Sequence, residues 1–171
     1  AAFYGMKTEI SQGQYCDFLN TLTSVQVTNR YPEQSTYRHA VTTSGGAYTS
    51  ANWYVACNFM SWADLTAYLD WAGLRPMTEL EFEKACRGNR DPVPNEYAWG
   101  GTSITQATGI ANAGKANETA SNAGANAVYG SHASVQGPLR VGCLGLSSPG
   151  NRVATGAGYW GMLELSGNLW E

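Results

Sequence analysis

The stretch of residues 101–137 constrains the fold of this chain more than any other feature. It consists mostly of Gly, Ala, Asn, Ser and Thr, with almost no large apolar side chain. Glu118 is the only acidic residue between Tyr97 and Leu163. Because such a stretch cannot bury enough apolar surface to offset its loss of conformational entropy, it cannot form a core by itself. We expect it to be disordered, or to be held in place by the rest of the domain or by an ion.

Length and charge exclude several classes of protein. The chain has 171 residues, enough for one domain with its own core. With 10 Lys and Arg against 13 Asp and Glu, it has a net charge of -3 and no basic excess to bind a nucleic-acid backbone. No apolar run approaches the ~18 residues that a membrane-spanning helix needs. The sequence therefore predicts neither a nucleic-acid partner nor a membrane span.

The side chains that most often carry chemistry are scattered. The cysteines are Cys16, Cys57, Cys86 and Cys143. They lack the CxxC or Cys/His pairing of a zinc site, and both buried free thiols and two disulfides are compatible with them. His39 and His132 lie in polar loops without a nucleophile beside them, so we expect surface residues. The 10 Tyr and 6 Trp fit carbohydrate stacking as well as an ordinary core.

Three capping boxes predict three helices. Each has a Ser or Thr at the N-cap and a Gln, Asp or Glu three residues later, before apolar residues at helical spacing. The pairs are Ser11 and Gln14, Ser61 and Asp64, and Thr78 and Glu81. Gly73 and Gly88 are natural ends for the second and third helix. We also predict strands at residues 3–10 and 138–146, and a long loop at residues 23–52.

Several short motifs, in order along the chain, resemble the signature of the formylglycine-generating enzyme family, also called the sulfatase-modifying factor family. They read SWAD at residues 61–64, WAGLR at 71–75, TELEFE at 78–83, CRG at 86–88 and YAWG at 97–100. Residues 6–15 resemble the opening motif of the family, and residues 159–171 resemble its G-L-Y-D-M-x-G-N-V-W-E-W motif. One departure is Arg-Pro-Met-Thr at residues 75–78, where the family has R-L-P-T.

The resemblance implies a fold. It predicts an α+β domain with a C-type-lectin-like fold, rich in loops, with a few short helices against a twisted antiparallel sheet. Residues 1–171 would form a single domain of this kind, incomplete at its C-terminus. In the family, a redox-active cysteine pair lies well downstream of the G-N-x-W-E-W motif, and none of the four cysteines here corresponds to it. The resemblance therefore implies no catalytic residue in this chain, and copper only if a downstream part carries that pair.

The resemblance also implies calcium, a cation that prefers carboxylate, amide and carbonyl oxygens. One family site corresponds to Glu164, Gly167, Leu169 and Glu171, which place two carboxylates around a tight glycine turn. The alternative is a surface turn with two solvated acids.

A second family site corresponds to Asn112, Ala113, Asn126 and Val128. Asn126 stands where the family uses an acid, so we expect weaker binding. The alternative is an ordinary Asn/Gly loop, in which Asn residues tolerate left-handed turns. An ion at this place would explain how the stretch without apolar residues becomes ordered.

Three functions remain open. The first is a non-catalytic, secreted module in the extracellular space or periplasm, stabilised by calcium, that binds a protein or a glycan or assembles with itself. The second is the N-terminal part of an active oxidase that uses copper and oxygen to convert a sulfatase cysteine, within Cys-x-Pro-x-Arg, to formylglycine. The third is a related oxidase for a small thiol, which needs a His-rich iron domain that the sequence does not show. The sequence favours the first.

Overall fold

A computed structural model describes residues 2–130, 132–147 and 151–170, and this part of the chain is a loop-rich α+β structure. It contains short helices and two separate antiparallel pairs of strands. The helices are α1 (Gln12–Leu19), α2 (Ser24–Thr28), α3 (Trp62–Trp71), α4 (Glu79–Arg87), α5 (Cys143–Ser147) and α6 (Arg152–Thr155). The strands are β1 (Val41–Ser44), β2 (Ala47–Ser50), β3 (Ile110–Ala111) and β4 (Thr119–Ala120). No described helix has the length and apolar character required to cross a bilayer.

The three predicted capping boxes are confirmed at the starts of α1, α3 and α4. At α1 the Ser11 hydroxyl accepts a bond from the Gln14 N–H at 3.2 Å, and the Gln14 side chain accepts one from the Ser11 N–H at 2.9 Å. Gly73 and Gly88 follow α3 and α4 with φ of 72° and 71°. These are left-handed values that glycine adopts without strain, so both glycines end their helices as predicted.

The predicted loop at residues 23–52 was wrong in two places. Thr23 caps α2 in a fourth capping box with Gln26. Strands β1 and β2 form a hairpin around Gly45 and Gly46, whose φ angles of 60° and 85° suit a tight two-residue turn. Both features have local sequence signals, T-x-x-Q and Gly-Gly between Thr-rich runs.

The predicted strands at residues 3–10 and 138–146 were also wrong, and the described residues show no single twisted sheet. The first segment ends next to an isolated bridge, and the second contains one, both with residues 55–56. The bridges join Ser11 to Ala56 and Val55 to Arg140. The second segment cannot continue as a strand because its next backbone groups bond to side chains and because α5 begins at Cys143.

The buried residues form two clusters of different composition. The first, in residues 10–88, which we call the aromatic region, contains Ile10, Tyr15, Cys16, Phe18, Leu19, Val41, Cys57, Tyr68 and Leu69. The second, in residues 105–147, which we call the loop region, contains Ala107, Ala125, Val128, Val135, Leu139, Cys143 and Leu144. The loop region thus has a core of mostly small side chains and needs other interactions to hold it.

Candidate functional site

Glu118 is completely buried, and the guanidinium of Arg38 holds its carboxylate in a bidentate ion pair. Arg38 Nη1 donates to Oε1 at 2.9 Å, and Nη2 donates to Oε2 at 2.5 Å. The Arg38 side chain is itself only 14% exposed. Two parallel N–H···O bonds to one carboxylate form a strong and geometrically specific pair. The single acid of the acid-poor stretch therefore attaches that stretch to the aromatic region.

The same carboxylate also organises the backbone around it. The Gly114 N–H donates to Oε2 at 2.5 Å, and the Arg140 N–H donates to Oε1 at 2.8 Å. The Arg140 side chain closes the arrangement by donating from Nε to the Glu118 carbonyl at 3.0 Å. Gly114 lies in the connection between β3 and β4. The rest of the domain therefore holds this hairpin, which is one of the alternatives that the composition left open.

Arg38 occupies a left-handed backbone conformation, with φ of 65°, that polar contacts fix from several sides. Its carbonyl accepts bonds from the Gln12 side chain at 2.9 Å and from the Asn52 side chain at 2.8 Å. Its Nη1 also donates to the Pro138 carbonyl at 2.6 Å. Arg38 thus joins α1, the segment after β2 and the loop region at one point.

Asn168 makes a second polar junction near the end of the chain. Its Oδ1 accepts a bond from the Leu139 N–H at 2.8 Å, and its Nδ2 donates to Glu9 Oε2 at 2.5 Å. Its own N–H donates to the Val128 carbonyl at 2.6 Å. Glu9 is also mostly buried. Through the bonds of Asn168, this junction links the segment that carries Glu9 and the last described segment to the loop region.

Three buried carboxylates lie close enough to the buried thiol of Cys143 to affect its ionisation. Burial raises the pKa of this thiol, and Glu164, Glu118 and Glu9 raise the pKa further, against an opposing effect of Arg140. A thiol in such surroundings stays protonated at neutral pH and is a poor nucleophile.

The other thiols do not form a reactive pair either. Cys16, Cys57 and Cys143 are buried free thiols, and no disulfide joins the described cysteines, which rules out the alternative of two disulfides. Burial and, to a smaller extent, Asp17 raise the pKa of Cys16 to about 11. Burial is also the main cause of the raised pKa of Cys57. Cys86 is partly exposed.

The prediction that His39 is a surface residue was wrong, since only 3% of it is exposed. Its Nδ1 lies 2.9 Å from Asn58 Oδ1, and its ring packs edge-on against Phe59. Burial lowers the pKa of His39, although Asn58 and the Pro32 carbonyl oppose this effect. The neutral ring is a packing element of the aromatic region.

The predicted calcium ligands near the end of the chain lie on a turn, and Glu171 is outside the described residues. Glu164 is 7% exposed and accepts a bond from the Gly142 N–H at 2.9 Å. The Gly167 carbonyl accepts a bond from the Leu169 N–H at 3.0 Å. Carboxylate and carbonyl oxygens accept more than one contact, so these groups are compatible with a hard cation.

The other predicted set is divided between two environments. Asn112 and Ala113 are exposed in the β3–β4 connection, and the Asn112 carbonyl accepts a bond from the Lys115 N–H at 3.0 Å. Asn126 and Val128 are buried. The structure therefore places two of these residues at the surface and two in the loop-region core.

Asn126 and Val128, the buried residues of this set, already form hydrogen bonds with other parts of the protein. Asn126 Oδ1 accepts a bond from the Thr105 N–H at 2.8 Å, while Nδ2 donates to the Val153 carbonyl at 3.1 Å. The Val128 carbonyl accepts the Asn168 N–H. The described contacts of Asn126 thus hold neighbouring backbone segments together, and calcium binding by this set stays a prediction. Nowhere among the described residues do three or more His, Cys, Asp or Glu side chains group as metal ligands would.

Comparison with known proteins identifies the family. A family model described as the sulfatase-modifying factor enzyme 1-like domain matches residues 1–171, and the chain belongs to this family. The chain is also similar to the formylglycine-generating enzyme of Mycobacterium tuberculosis (strain ATCC 25618 / H37Rv), with 31% identity over 112 residues. This match covers 66% of the chain and 30% of that enzyme. No solved structure matches the chain, so the C-type-lectin-like part of the fold stays a prediction.

Proposed function

We propose that the chain acts as a non-catalytic binding or assembly module of this family, stabilised by calcium and located in the extracellular space or periplasm. The observation that carries the non-catalytic role is the state of its thiols. Three of the four are buried, and burial raises the pKa of each. The chemistry of this family needs a pair of reactive cysteines. Because three of the four described thiols have a raised pKa, no two of the four form such a pair.

An alternative is that the chain forms the N-terminal part of an active formylglycine-generating oxidase. The similarity to an enzyme of that name favours it, and the match spans less than a third of that enzyme. In this case the chain would supply the scaffold, and the cysteine pair and its copper would belong to another part of a longer protein.

An activity assay on the natural protein separates the two functions. Its intact mass and peptide map are determined first, and the protein is then incubated with copper, oxygen and a Cys-x-Pro-x-Arg peptide. We expect no aldehyde on the peptide. Aldehyde formation would reject the non-catalytic role and establish the oxidase.

Calcium binding is proposed at Glu164, Gly167 and Leu169, together with Glu171. A bound calcium ion would supply a positive charge that joins the segment carrying Glu164 to the turn that follows. Any ligand that binds only the folded state raises stability by about 2.7 kcal/mol at a concentration 100 times its Kd. The thermal midpoint should therefore fall when a chelator is added.

The variant Glu164→Gln tests the position of the ion. It keeps the size of the side chain and an acceptor for the Gly142 N–H but removes the charge. We expect this variant to lose the response to calcium, whereas Glu83→Gln, which removes a carboxylate that is 50% exposed and outside both predicted sets, keeps it. A wild-type protein whose thermal midpoint is the same in calcium and in chelator would contradict the proposal.

A further inference from the structure

Two exposed aromatic rings, Tyr37 and Phe59, stand on left-handed backbone. Their φ angles are 50° and 61°, values that are uncommon for residues with a β-carbon and strained for bulky ones. Tyr37 is 60% exposed and Phe59 is 41% exposed, and neither belongs to the two buried clusters. Glycine would adopt these angles without strain, so the stability of the fold does not explain why aromatic residues occupy both positions.

The surrounding structure holds this strained arrangement firmly. Asn58 Nδ2 donates to the Tyr37 carbonyl at 3.0 Å, and Asn58 Oδ1 bonds to the His39 ring, so one side chain ties the two aromatic turns together. Gly137 packs directly against the Tyr37 carbonyl, since a β-carbon there would lie 2.2 Å from its oxygen. Backbone strain that several contacts enforce is characteristic of ligand-binding sites.

The geometry of the two rings defines how a ligand would lie on them. Their centroids are 6.4 Å apart and their planes are inclined by 39°. This separation leaves no room for a ligand between the rings, and the rings do not stack on one another. A ligand would therefore cover both from the solvent side. The ring of His39 meets Phe59 edge-on at 5.6 Å and 85°, which supports Phe59 from the protein side.

The residues that adjoin Tyr37 and Phe59 in the sequence present no unpaired charge. The chain neighbours Thr36, Asn58 and Met60 are uncharged. The remaining neighbour, Arg38, has its guanidinium paired with buried Glu118 and turned into the protein. A ligand that suits this surface has an apolar face for the rings and neutral hydroxyl groups for the exposed side chain of Thr36.

We propose that Tyr37 and Phe59 form a platform that binds the apolar face of a neutral sugar ring. The proposal deepens the binding role given above by assigning its ligand class and its location. Its test measures neither calcium-dependent stability nor aldehyde formation. A failure of this proposal can therefore be distinguished from a failure of the proposed function.

The test is titration calorimetry of the whole chain with neutral hexasaccharides of glucose, mannose and N-acetylglucosamine. We expect binding of at least one of them. Tyr37→Gly and Phe59→Gly should each weaken that binding about tenfold or more, while the thermal midpoint stays the same or rises because the backbone strain is relieved. Trp160→Ala removes another exposed aromatic side chain, 63% accessible, and should leave binding unchanged.

Variants with asparagine at the same positions are a control for loss of folding, because asparagine tolerates a left-handed backbone conformation. Tyr37→Asn and Phe59→Asn should also bind about tenfold more weakly or worse. The proposal is overturned if none of the hexasaccharides binds at millimolar concentration. It is equally overturned if the substitutions leave binding intact, or if a proline-rich peptide binds at this place and no sugar does.

Discussion

The aromatic region and the loop region achieve order by different means. In the aromatic region, rings pack against one another, as in the contacts of Phe18 with Tyr15, Tyr68 and Trp71 at centroid distances of 5.6 to 5.8 Å. In the loop region, the buried carboxylate of Glu118 and the side chain of Asn126 bond to the backbone instead, and Asn168 does so from a later segment. The difference shows that a segment with few large apolar residues can be ordered by polar groups, provided that each is buried with its partners.

The largest expected effect concerns the polar attachment of the loop region. Removing one partner of a buried ion pair typically costs about 3–5 kcal/mol, because the other charge stays buried and unpaired. We expect Glu118→Gln to lower the free energy of unfolding by this amount in urea denaturation.

A matched change on the surface serves as the control. The Glu83 side chain is 50% exposed in its ion pair with Arg87, so Glu83→Gln should change stability by about 0.5 kcal/mol or less. Similar small losses in both variants would show that apolar packing, not Glu118, holds the loop region.

The reciprocal change is made in the aromatic region. Leu19 is 1% exposed, and Leu19→Ala should cost about 2–5 kcal/mol through lost burial and a residual cavity. Leu146→Ala, at a side chain that is 54% exposed, is the control and should stay within about 0.5 kcal/mol.

Amide hydrogen exchange sharpens the comparison between these two variants. Glu118→Gln should increase exchange first in the loop region, and Leu19→Ala first in the aromatic region. If both variants increased exchange uniformly over the chain, the two regions would form one cooperative unit.

A smaller effect is expected at the start of α4. The Thr78 hydroxyl accepts a bond from the Glu81 N–H at 3.3 Å, and loss of an N-cap costs about 1 kcal/mol. Thr78→Ala should lower the urea midpoint accordingly, while Thr78→Ser keeps the cap and most of the stability. An equal loss in both variants would show that the methyl group of Thr78, not its hydroxyl, stabilises the start of α4.

The smallest effect is the pH response of the exposed pair Arg75 and Glu81. Hydrogen bonds from Arg75, followed by one from the Thr78 N–H, lower the pKa of Glu81 to about 2. Because this pKa lies below that of the unfolded chain, the pair stabilises the fold above the unfolded pKa and loses this effect as the pH falls toward 2. An NMR titration should show the low pKa, and Arg75→Gln should move it upward. An unchanged pKa in the variant would exclude Arg75 as the main cause.

The parts of the fold with local causes were predictable from the sequence. A capping box needs only two residues three apart, and such pairs predict the starts of α1, α3 and α4. The box at Thr23 and the Gly-Gly hairpin have equally local signals, which a prediction of one long loop at residues 23–52 leaves out. The family motifs are also read along the chain, which is why the family could be identified.

The polar attachments could not be predicted in the same way. The isolated position of Glu118 in an acid-poor stretch was visible, but its partner Arg38 lies 80 residues away in the sequence. The role of Asn126 also depends on residues from other segments. The position of Asn126 in the family motif does not predict that its amide bonds to Thr105 and Val153.

The distance in sequence between Arg38 and Glu118 has a consequence for synthesis of the protein. The ribosome releases the aromatic region first, so Arg38 and its supporting side chains emerge before the carboxylate that they hold. The loop region, which has little apolar surface of its own, therefore emerges when Arg38 is already available to bind Glu118. A circular permutant that begins within residues 89–100 would reverse this order. Its loop region would leave the ribosome without an anchor and stay exposed to proteases until the aromatic region followed.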